Sequence, residues 1–442
     1  MKNRFTIIMS SMVVLLVMLL ILGGCGQQSA TPSPATSAKP KDYQIYCAID
    51  LSGPSATADA PVPAASADYE KWYNAQGGLD GVPIHFNWYD TKFERAIAVS
   101  SYVKIREMTP KPAIVGIAQG PDVDALASRF AEDKITNICS SISQNAAWPP
   151  GWAFCTSNYI ADLSGGVFSW LSKEWAKSGQ TGKLRLALLN PKNAYGIAAA
   201  APEAVEYLNS LGNIEIVYND FFDPASLDLS SDILRMMQNK PDWIYGYYYA
   251  SWGAAFYKSI DAAGYTGKVK VATCGWSVMS QMAQQTGPAL LEGVVGAFHI
   301  PPWLPSDQKQ VSGGMEWVTK LFDDNKRPKE WRNPGYSGTL PSLVLVTNML
   351  EAAIKKAGWA KFDGQTVYDI IRNTSSSDLK VITWGVSPGQ RTNNKYEMFK
   401  FQNSIPMPIT DWLTTPDIRP AVYRTTEYGW SAAGWPQGAF KK

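Results

Sequence analysis

Histidine and unbalanced charge are the features that this sequence most clearly lacks. Its 442 residues include only two histidines, His85 and His299, which excludes a His-rich metal centre. The 38 acidic residues nearly match the 40 basic ones, and two of those bases, Lys2 and Arg4, precede the first apolar run. A balanced chain has no overall electrostatic attraction to nucleic acid or to an anionic membrane. Apolar residues make up 45%, enough to bury a core, and the length predicts two or three domains.

Catalytic and metal-binding motifs are also missing from the sequence. It has no G-x-S-x-G, H-E-x-x-H or P-loop pattern, since the stretch Gly275–Met279 lacks the last glycine. None of the five cysteines has C-x-x-C spacing. We therefore expect no enzyme activity, no metal and no cofactor. A pair of carboxylates far apart in sequence would escape such a search.

The first 24 residues predict an export signal. Two bases precede an apolar run over Phe5–Leu22, and Leu22-Gly23-Gly24-Cys25 then resembles the bacterial lipobox. A lipobox implies cleavage before Cys25 and attachment of diacylglycerol to its thiol, which would anchor the protein outside the cytoplasmic membrane. The alternative is an uncleaved membrane-spanning helix with an incidental cysteine. Residues 25–42 are rich in Ser, Thr, Pro and Ala and predict a flexible linker, so the globular part begins near residue 43.

Export would permit disulfides among the four remaining cysteines, Cys47, Cys139, Cys155 and Cys274. Cys139 and Cys155 flank one Trp- and Pro-rich loop, which makes them the favoured pair. The alternative is four buried free thiols.

Strand and helix patterns alternate from Tyr43 onward. A helix pattern over Ala64–Gln76 stops at Gly77-Gly78, a glycine signal for the end of a helix. About nine strand patterns precede residue 300, more than one sheet needs, so we expect an α/β fold of two doubly wound parallel-sheet lobes. Ligands of such sheets bind on the loops at the carboxyl ends of the strands.

Several short motifs follow one another in a fixed order along the chain. They are Ile49–Pro54, Gly77–Ile84, Asp90, Val115-Gly116, Asn193–Gly196, Asp242–Tyr245 and Glu292-Gly293. Their order and spacing resemble those of the bacterial branched-chain amino acid binding proteins, the type I solute-binding proteins of ABC importers. The resemblance extends over about residues 43–399.

This resemblance implies the type I periplasmic binding protein fold, with three hinge crossings near Asn158, near 297–301 and near Val386. The N-terminal lobe would contain residues 43–158 and 299–386, and the C-terminal lobe residues 159–298 and 387–442. The implied function is that of an extracytoplasmic, lipid-anchored monomer that captures a small molecule between the lobes, closes by a hinge and docks on ABC permease subunits. The alternatives are a sensory protein with a separate signalling partner and an extracellular hydrolase.

The resemblance also implies the positions that contact the ligand. Gln119 and Gly120 lie on the loop after the third strand of the first lobe, and Ser141, Ile142 and Ser143 on the loop after the fourth. Tyr195 and Tyr249 would contribute from the second lobe. The alternatives are an ordinary turn, solvated serines and tyrosines that only pack, with Tyr247–Tyr249 forming a buried strand.

One departure from the family concerns charge. Amino-acid-binding members carry an acid after the strand that here ends at Ala272–Trp276, but this chain has Gly275 and Trp276. A buried ammonium without a counter-charge is costly, so we expect the site to disfavour free α-amino acids. Asp59 is either a substitute counter-charge or, as we favour, a helix N-terminal cap.

Tryptophan is abundant on the loops that should face the cleft, at Trp148, Trp152, Trp252 and Trp276. Their rings predict an aromatic or otherwise apolar ligand with a carboxylate or amide end, and Trp276 is the candidate contact among them. The alternative is that these tryptophans pack the lobes.

Overall fold

Two sheets of mainly parallel strands form the framework of the protein. The computed structural model describes residues 39–278, 280–304, 308–432 and 434–440, so the predicted signal segment and Cys25 lie outside the described residues. Within these ranges the strands are β1 (Tyr43–Ile49), β2 (Ile84–Asp90), β3 (Ile114–Ile117), β4 (Thr136–Cys139), β5 (Ala153–Asn158), β6 (Leu184–Pro191), β7 (Ile214–Phe222), β8 (Trp243–Tyr245), β9 (Lys270–Cys274), β10 (Val295–Phe298), β11 (Ser376–Asp378), β12 (Thr383–Gly385), β13 (Thr392–Asn393), β14 (Lys395–Gln402), β15 (Ile405–Pro408) and β16 (Leu413–Thr414).

Helices separate most of these strands. They are α1 (Ala56–Asp59), α2 (Val62–Ala75), α3 (Arg95–Arg106), α4 (Gly120–Asp133), α5 (Gln144–Ala147), α6 (Ile160–Lys177), α7 (Ala194–Ala199), α8 (Pro202–Ser210), α9 (Ser230–Met237), α10 (Ala250–Ala262), α11 (Ser280–Thr286), α12 (Gly313–Asp324), α13 (Pro334–Ser337), α14 (Leu340–Ala357) and α15 (Gly364–Ile371). Short 3-10 helices cover Gly275–Val278, Pro288–Leu291, Lys329–Trp331, Ala421–Tyr423 and Thr426–Tyr428.

The first sheet has the order β13-β5-β4-β3-β1-β2, and all its pairings are parallel. The second sheet has the order β15-β14-β10-β9-β8-β6-β7, in which β6 to β10 are parallel and β14 runs antiparallel to β10. Buried apolar residues cover both faces of each sheet. The predicted α/β fold with two doubly wound lobes is therefore confirmed. The first lobe contains the first sheet, and the second lobe contains the second sheet.

The predicted glycine signal at the end of α2 is borne out by the backbone. Gly77 and Gly78 have φ angles of 109° and 64°. A Cβ on Gly78 would lie 2.4 Å from the carbonyl oxygen of Val82, so only glycine fits this turn. The turn directs the chain straight into β2, which pairs with β1 from Tyr43 opposite Ile84 to Ile49 opposite Asp90.

The chain passes between the sheets at three places. It leaves the first sheet after Asn158, returns after Phe298, and leaves again at Asn394 between β13 and β14. The third passage lies beyond the predicted Val386, because Thr392 of β13 still pairs with Cys155 of the first sheet. Sheet membership thus favours a boundary between the lobes at Asn394.

All four described cysteines are free and buried, so the favoured Cys139–Cys155 disulfide is not formed. The two residues do face each other in register across the parallel strands β4 and β5. The Cys139 thiol instead lies 3.5 Å from the carbonyl oxygen of Phe154 and donates to it.

Among the described residues, one helical stretch, Pro334–Ala357, is long and apolar enough to span a membrane, with a mean hydropathy of 1.2. In its 18-residue apolar window, 72% is buried inside the protein, where α14 packs in the core of the first lobe. Its apolar character is accounted for by that packing.

Candidate functional site

Two adjoining cavities lie between the lobes, beside the carboxyl ends of the parallel strands. The inner cavity has a volume of about 20 Å³ and is bounded by Ser141 and Ile142 of the first lobe and by Tyr195, Tyr247 and Trp276 of the second. The outer cavity has a volume of about 100 Å³. An inner space of this size holds about one water molecule, so the inner cavity would take a ligand only if the lobes moved apart.

The first lobe contributes a polar wall, formed by Ser55, Asp59, Gln119, Gly120 and Ser141–Ser143. These residues follow β1, β3 and β4, so the parallel sheet brings all of them to one edge. Gly120 begins α4, and a Cβ there would lie 3.3 Å from the Ser141 Oγ. The loops after β3 and β4 therefore contact each other closely.

Asp59 lies within this polar wall and does not cap a helix. Its Oδ2 lies 2.7 Å from Ser55 Oγ and accepts a hydrogen bond from Gln119 Nε2 at 3.1 Å. Burial is the largest cause that raises its pKa, to about 7, and the charge of Asp50 adds to the shift while the Ser55 hydrogen bond opposes it. The favoured interpretation of Asp59 as an N-terminal cap is wrong, because α2 begins after Pro61 without any side-chain cap.

Asp50 holds the turn that carries Ser55 and Asp59 of the polar wall. It is fully buried, and its carboxylate accepts hydrogen bonds from the backbone N–H groups of Gly53 and Ser55 and from Ser55 Oγ. These bonds fix the turn that leads from β1 into α1. The position of Ser55, and through it that of Asp59, therefore depends on Asp50.

The second lobe contributes an aromatic wall, formed by Tyr195, Tyr247, Tyr249, Trp276 and Phe298. Tyr195 stacks on Tyr247 with ring centroids 5.4 Å apart and an interplanar angle of 11°. Trp276 meets Phe298 edge to face at 5.2 Å. These rings offer a large apolar surface opposite the polar wall.

A glycine places Trp276 in this wall. Gly275 has a φ of 63°, and a Cβ there would lie 3.0 Å from Cε2 of Tyr247. A larger residue would be strained by the backbone and crowded by the tyrosine ring. Gly275 stands where the resemblance implies an acid. It permits a tight turn, which brings Trp276 to the inner cavity.

Two of the passages between the lobes also border the inner cavity. Asn158 donates from Nδ2 to the carbonyl oxygens of Asn393 and Lys395, each at 3.0 Å, while its buried Oδ1 has no hydrogen-bond partner. His299 lies 3.1 Å from Ser157 Oγ through Nε2, and burial lowers the pKa of this histidine to about 3. His299 is therefore neutral at physiological pH.

A charged group borders the outer cavity. Arg95, at the start of α3, is exposed and lies near Gly120, Ser143 and Asp124 around this cavity. Ser143 Oγ donates to Asp124. Among the described residues that line either cavity, Arg95 is the one Lys or Arg side chain.

A sequence profile of the periplasmic binding proteins matches residues 45–403. The chain belongs to the periplasmic binding protein family. This confirms the predicted resemblance and places the described fold among the type I periplasmic binding proteins. Members of the family are binding proteins of the extracytoplasmic space. No curated protein sequence matches the chain.

Solved structures of this family resemble the protein in fold. A branched-chain amino acid ABC transporter protein from Thermus thermophilus with bound valine has a TM-score of 0.71 and 17% identity, covering 88% of this chain and 100% of its own. An ABC transporter solute-binding protein from R. palustris in complex with 4-hydroxybenzoate has a TM-score of 0.69 and 14% identity, covering 85% and 97%. A Rhodopseudomonas palustris BisB5 protein with 3,4-dihydroxybenzoic acid has a TM-score of 0.67 and 19% identity, covering 85% and 98%.

In this periplasmic binding protein, most of the predicted contact residues come together at the cleft. Ser141, Ile142 and Tyr195 border both cavities, Gly120 and Ser143 the outer one, and Trp276 the inner one. Gln119 and Tyr249 border neither cavity. Gln119 hydrogen bonds inside the polar wall, and Tyr249 packs edge-on to Tyr247 and Trp252. Their roles in binding a ligand remain predictions.

Tyr247–Tyr249 do not form a buried strand, because β8 ends at Tyr245. Tyr247 and Tyr248 are nevertheless buried, at 1% and 0% exposure. The three tyrosines therefore lie on the loop beyond the strand end, where Tyr247 reaches the inner cavity.

Two of the four tryptophans expected at the cleft pack elsewhere. Trp148 stacks on Tyr423 at 5.7 Å and lies against the guanidinium of Arg419 at 4.5 Å. Trp152 stacks on Tyr368 of α15 at 4.1 Å. Both rings are covered by segments far along the chain, which explains why the prediction for them is wrong. Trp252 contacts Tyr249 behind the aromatic wall.

Sequence reasoning missed Tyr247, Ser157, Asn158, Phe298 and His299 as cavity residues. Asn158 and the segment 297–301 were predicted as hinge crossings. That prediction could have identified them as cavity residues. Crossings start at the carboxyl ends of strands, and those ends surround the ligand site in this kind of fold.

Proposed function

We propose that the protein is the extracytoplasmic solute-binding component of an ABC importer and captures a small organic molecule between its lobes. An amino-acid-like molecule, an amide or an aromatic carboxylate would suit the cleft. The observation that carries the proposal is the pair of unlike walls, one of hydroxyl, amide and carboxyl groups and one of stacked rings, on opposite lobes. A ligand can contact both walls only when the lobes close on it, so binding would select the closed state.

The neighbours in fold support this range of ligands. They are recorded with valine, 4-hydroxybenzoate and 3,4-dihydroxybenzoic acid, all of them small molecules with a carboxylate. A branched aliphatic group or an aromatic ring would pack on Tyr195, Tyr247 and Trp276. Arg95 beside the outer cavity would attract a ligand carboxylate.

Catalysis is not part of the proposal, although Ser157 and His299 form a serine–histidine pair. Ser157 Oγ donates its proton to the carbonyl oxygen of Ser140 at 2.6 Å, so His299 Nε2 must be the donor to Ser157. A general base would have to accept that proton instead. With its pKa lowered to about 3 by burial, His299 is also a poor base, so the pair is structural.

Anchoring through lipid at Cys25 belongs to the same proposal. Two or more acyl chains on the mature N-terminus would hold the protein stably at the membrane surface, near the permease. Incorporation of radiolabelled palmitate into the wild-type protein, but not into Cys25→Ser, is the expected result. Equal labelling of both would contradict it.

A thermal-shift screen of the purified protein tests the ligand proposal. A ligand that binds only the folded state should stabilise it by about 2.7 kcal/mol at 100 times its Kd, which raises the Tm measurably. The panel contains valine, leucine, 4-hydroxybenzoate, benzamide and glucose. We expect one of the first four to raise the Tm and glucose to leave it unchanged. A response to glucose alone would contradict the proposed class.

A further inference from the structure

The C-terminal segment 415–428, which we call the C-terminal brace, contacts both lobes. It begins beyond residue 403, where the match to the family profile ends. Ile418 is fully buried in the core of the second lobe, whereas Tyr423 packs against a core cluster of the first lobe. A short stretch of chain thus leads from one core to the other. The brace is therefore a contact between the lobes in addition to the three passages of the chain.

A glycine in the second lobe makes room for the start of the brace. Gly165 lies in α6, and a Cβ there would overlap the side chain of Ile418. The backbone N–H of Ile418 donates to Asp162 Oδ1 at 2.7 Å. Further along, Arg424 donates from its two Nη atoms to the two carboxylate oxygens of Glu206 on α8, at 2.9 and 2.8 Å. The brace is thus fixed to two helices of the second lobe.

On the first lobe, the brace covers Trp148. The Arg419 guanidinium lies 4.5 Å from the centroid of this ring, and Tyr423 stacks on it with centroids 5.7 Å apart and an interplanar angle of 20°. Trp148 is only 6% exposed. Gly389 makes room for the brace here, because a Cβ there would overlap the carbonyl oxygen of Tyr428. The brace therefore fits closely on both lobes.

Hydrogen bonds around Arg419 make this fit depend on the position of the lobes. The Arg419 side chain is fully buried, and its guanidinium donates to Asp417 of the brace and to the carbonyl oxygen of Pro388 in the first lobe. Gln390, which precedes β13 of the first lobe, donates to Asp417 at 3.0 Å and to Asp162 of the second lobe at 2.9 Å. A buried cation that loses a partner is costly. Movement of the first lobe away from the brace would remove the Pro388 oxygen from Arg419 and the Gln390 amide from Asp417.

We infer that the C-terminal brace holds the two lobes together and so sets the equilibrium between the open and closed arrangements of the cleft. In this structure the brace is engaged on both lobes, and the inner cavity has a volume of about 20 Å³. The inference goes beyond the proposed function, because it concerns the protein on its own and holds whichever ligand the cleft takes. A larger closed fraction would lower the apparent Kd of any ligand that binds the closed state.

Thiol accessibility in the cleft tests the inference without a ligand. Ile142 borders both cavities and is 5% exposed, so the thiol of Ile142→Cys should react rapidly only when the lobes separate. The four described native cysteines are buried, and their reaction reports unfolding of the protein as a whole. The alkylation rate of each cysteine is measured by peptide mass spectrometry in the full chain that carries Ile142→Cys, the parent of the variants below.

Tyr423→Ala removes the stacked ring from Trp148 and leaves Arg419 in place. We expect the Ile142→Cys thiol to react about tenfold faster in this variant, since loss of an aromatic stack shifts an equilibrium by roughly this factor. Trp148→Leu removes the other ring of the stack and should accelerate the reaction to a similar degree. Tyr423→Phe keeps the ring, and Val422→Ala changes the exposed neighbouring residue, so both controls should react like the parent. The native thiols should react at unchanged rates throughout.

Three results would overturn the inference. Equal rates for Ile142→Cys with and without Tyr423→Ala would mean that the brace is a fixed part of the hinge and does not control the cleft. Equal acceleration of the native thiols would mean that Tyr423 stabilises the whole fold rather than the contact between the lobes. A cleft thiol that reacts in the parent as fast as in urea would mean that the lobes separate with the brace intact. Since no ligand is present, each of these results leaves the proposed solute-binding function standing.

Discussion

The two walls of the cleft are built on different principles. In the polar wall, side chains are bonded to one another, as in the chain from Gln119 to Ser55 to Asp50, so each group is oriented by its neighbours. In the aromatic wall, rings are held by stacking and burial, as in Tyr195 on Tyr247. The comparison indicates that the first lobe would orient a ligand and the second lobe would supply contact area. Loss of a ring should therefore cost more stability than loss of a hydrogen bond.

The largest effect is expected for Tyr247→Ala in the aromatic wall. Tyr247 is 1% exposed, and its removal would leave a cavity beneath Tyr195 and Gly275. We expect a loss of about 3–5 kcal/mol in the free energy of unfolding, measured with urea. Tyr247→Phe keeps the ring and should cost no more than about 1.5 kcal/mol. Equal losses in the two variants would show that the hydroxyl, not the ring, holds this wall.

A smaller effect is expected for Asp50→Ala in the polar wall. Truncation would leave the N–H groups of Gly53 and Ser55 without their acceptor. We expect a loss of about 1–3 kcal/mol in unfolding free energy, since buried donors would be left unsatisfied. Asp50→Asn retains one acceptor oxygen and should lose less. An alanine variant as stable as the wild type would mean that the wall does not depend on this network.

The pH dependence of stability should have opposite signs for Asp59 and His299. The pKa of Asp59 is raised from 3.8 to about 7, so its contribution is present below pH 4 and is lost as pH rises through 7. The pKa of His299 is lowered from 6.5 to about 3, so its contribution is present above pH 6.5 and is lost as pH falls toward 3. Each group changes stability by at most about 1.4 kcal/mol per pH unit.

Urea unfolding between pH 4 and pH 8 separates these two contributions. Compared with the wild type, Asp59→Asn should reduce the loss of stability on the alkaline side, and His299→Gln the loss on the acid side. A pH profile that is unchanged by Asp59→Asn would contradict the assignment of a raised pKa to this residue.

The smallest effect is expected from a reducing agent. Cys139 ends β4 and faces Cys155 within β5, and a disulfide there would make the strands that lead to the polar wall more rigid. Because both are free thiols, dithiothreitol should leave the Tm of the purified protein unchanged. A fall in Tm on reduction would reveal a covalent link within the polar wall.

The cleft residues that directly follow a clear strand pattern were the easiest to predict from sequence. Ser141–Ser143 and Tyr195 follow strands with clear patterns, and the rule for carboxyl ends of parallel strands places such residues at the cleft. Asp59 was assigned to a cap, because local patterns give no sign that Gln119 would reach it from another loop. Trp148 carries no local sign that Arg419 and Tyr423 cover it. Contacts between distant segments of the chain were the part that sequence patterns could not supply.

The last strands of both sheets have a consequence for how the protein is made. β13 completes the first sheet at Thr392, and β14 immediately adds to the second, so neither lobe is complete before this part of the chain is available. A polypeptide that emerges from its N-terminus would then lack an edge of both sheets until late in synthesis. Such a delay would keep the chain from reaching its final form early, a property that suits a member of a family of extracytoplasmic binding proteins.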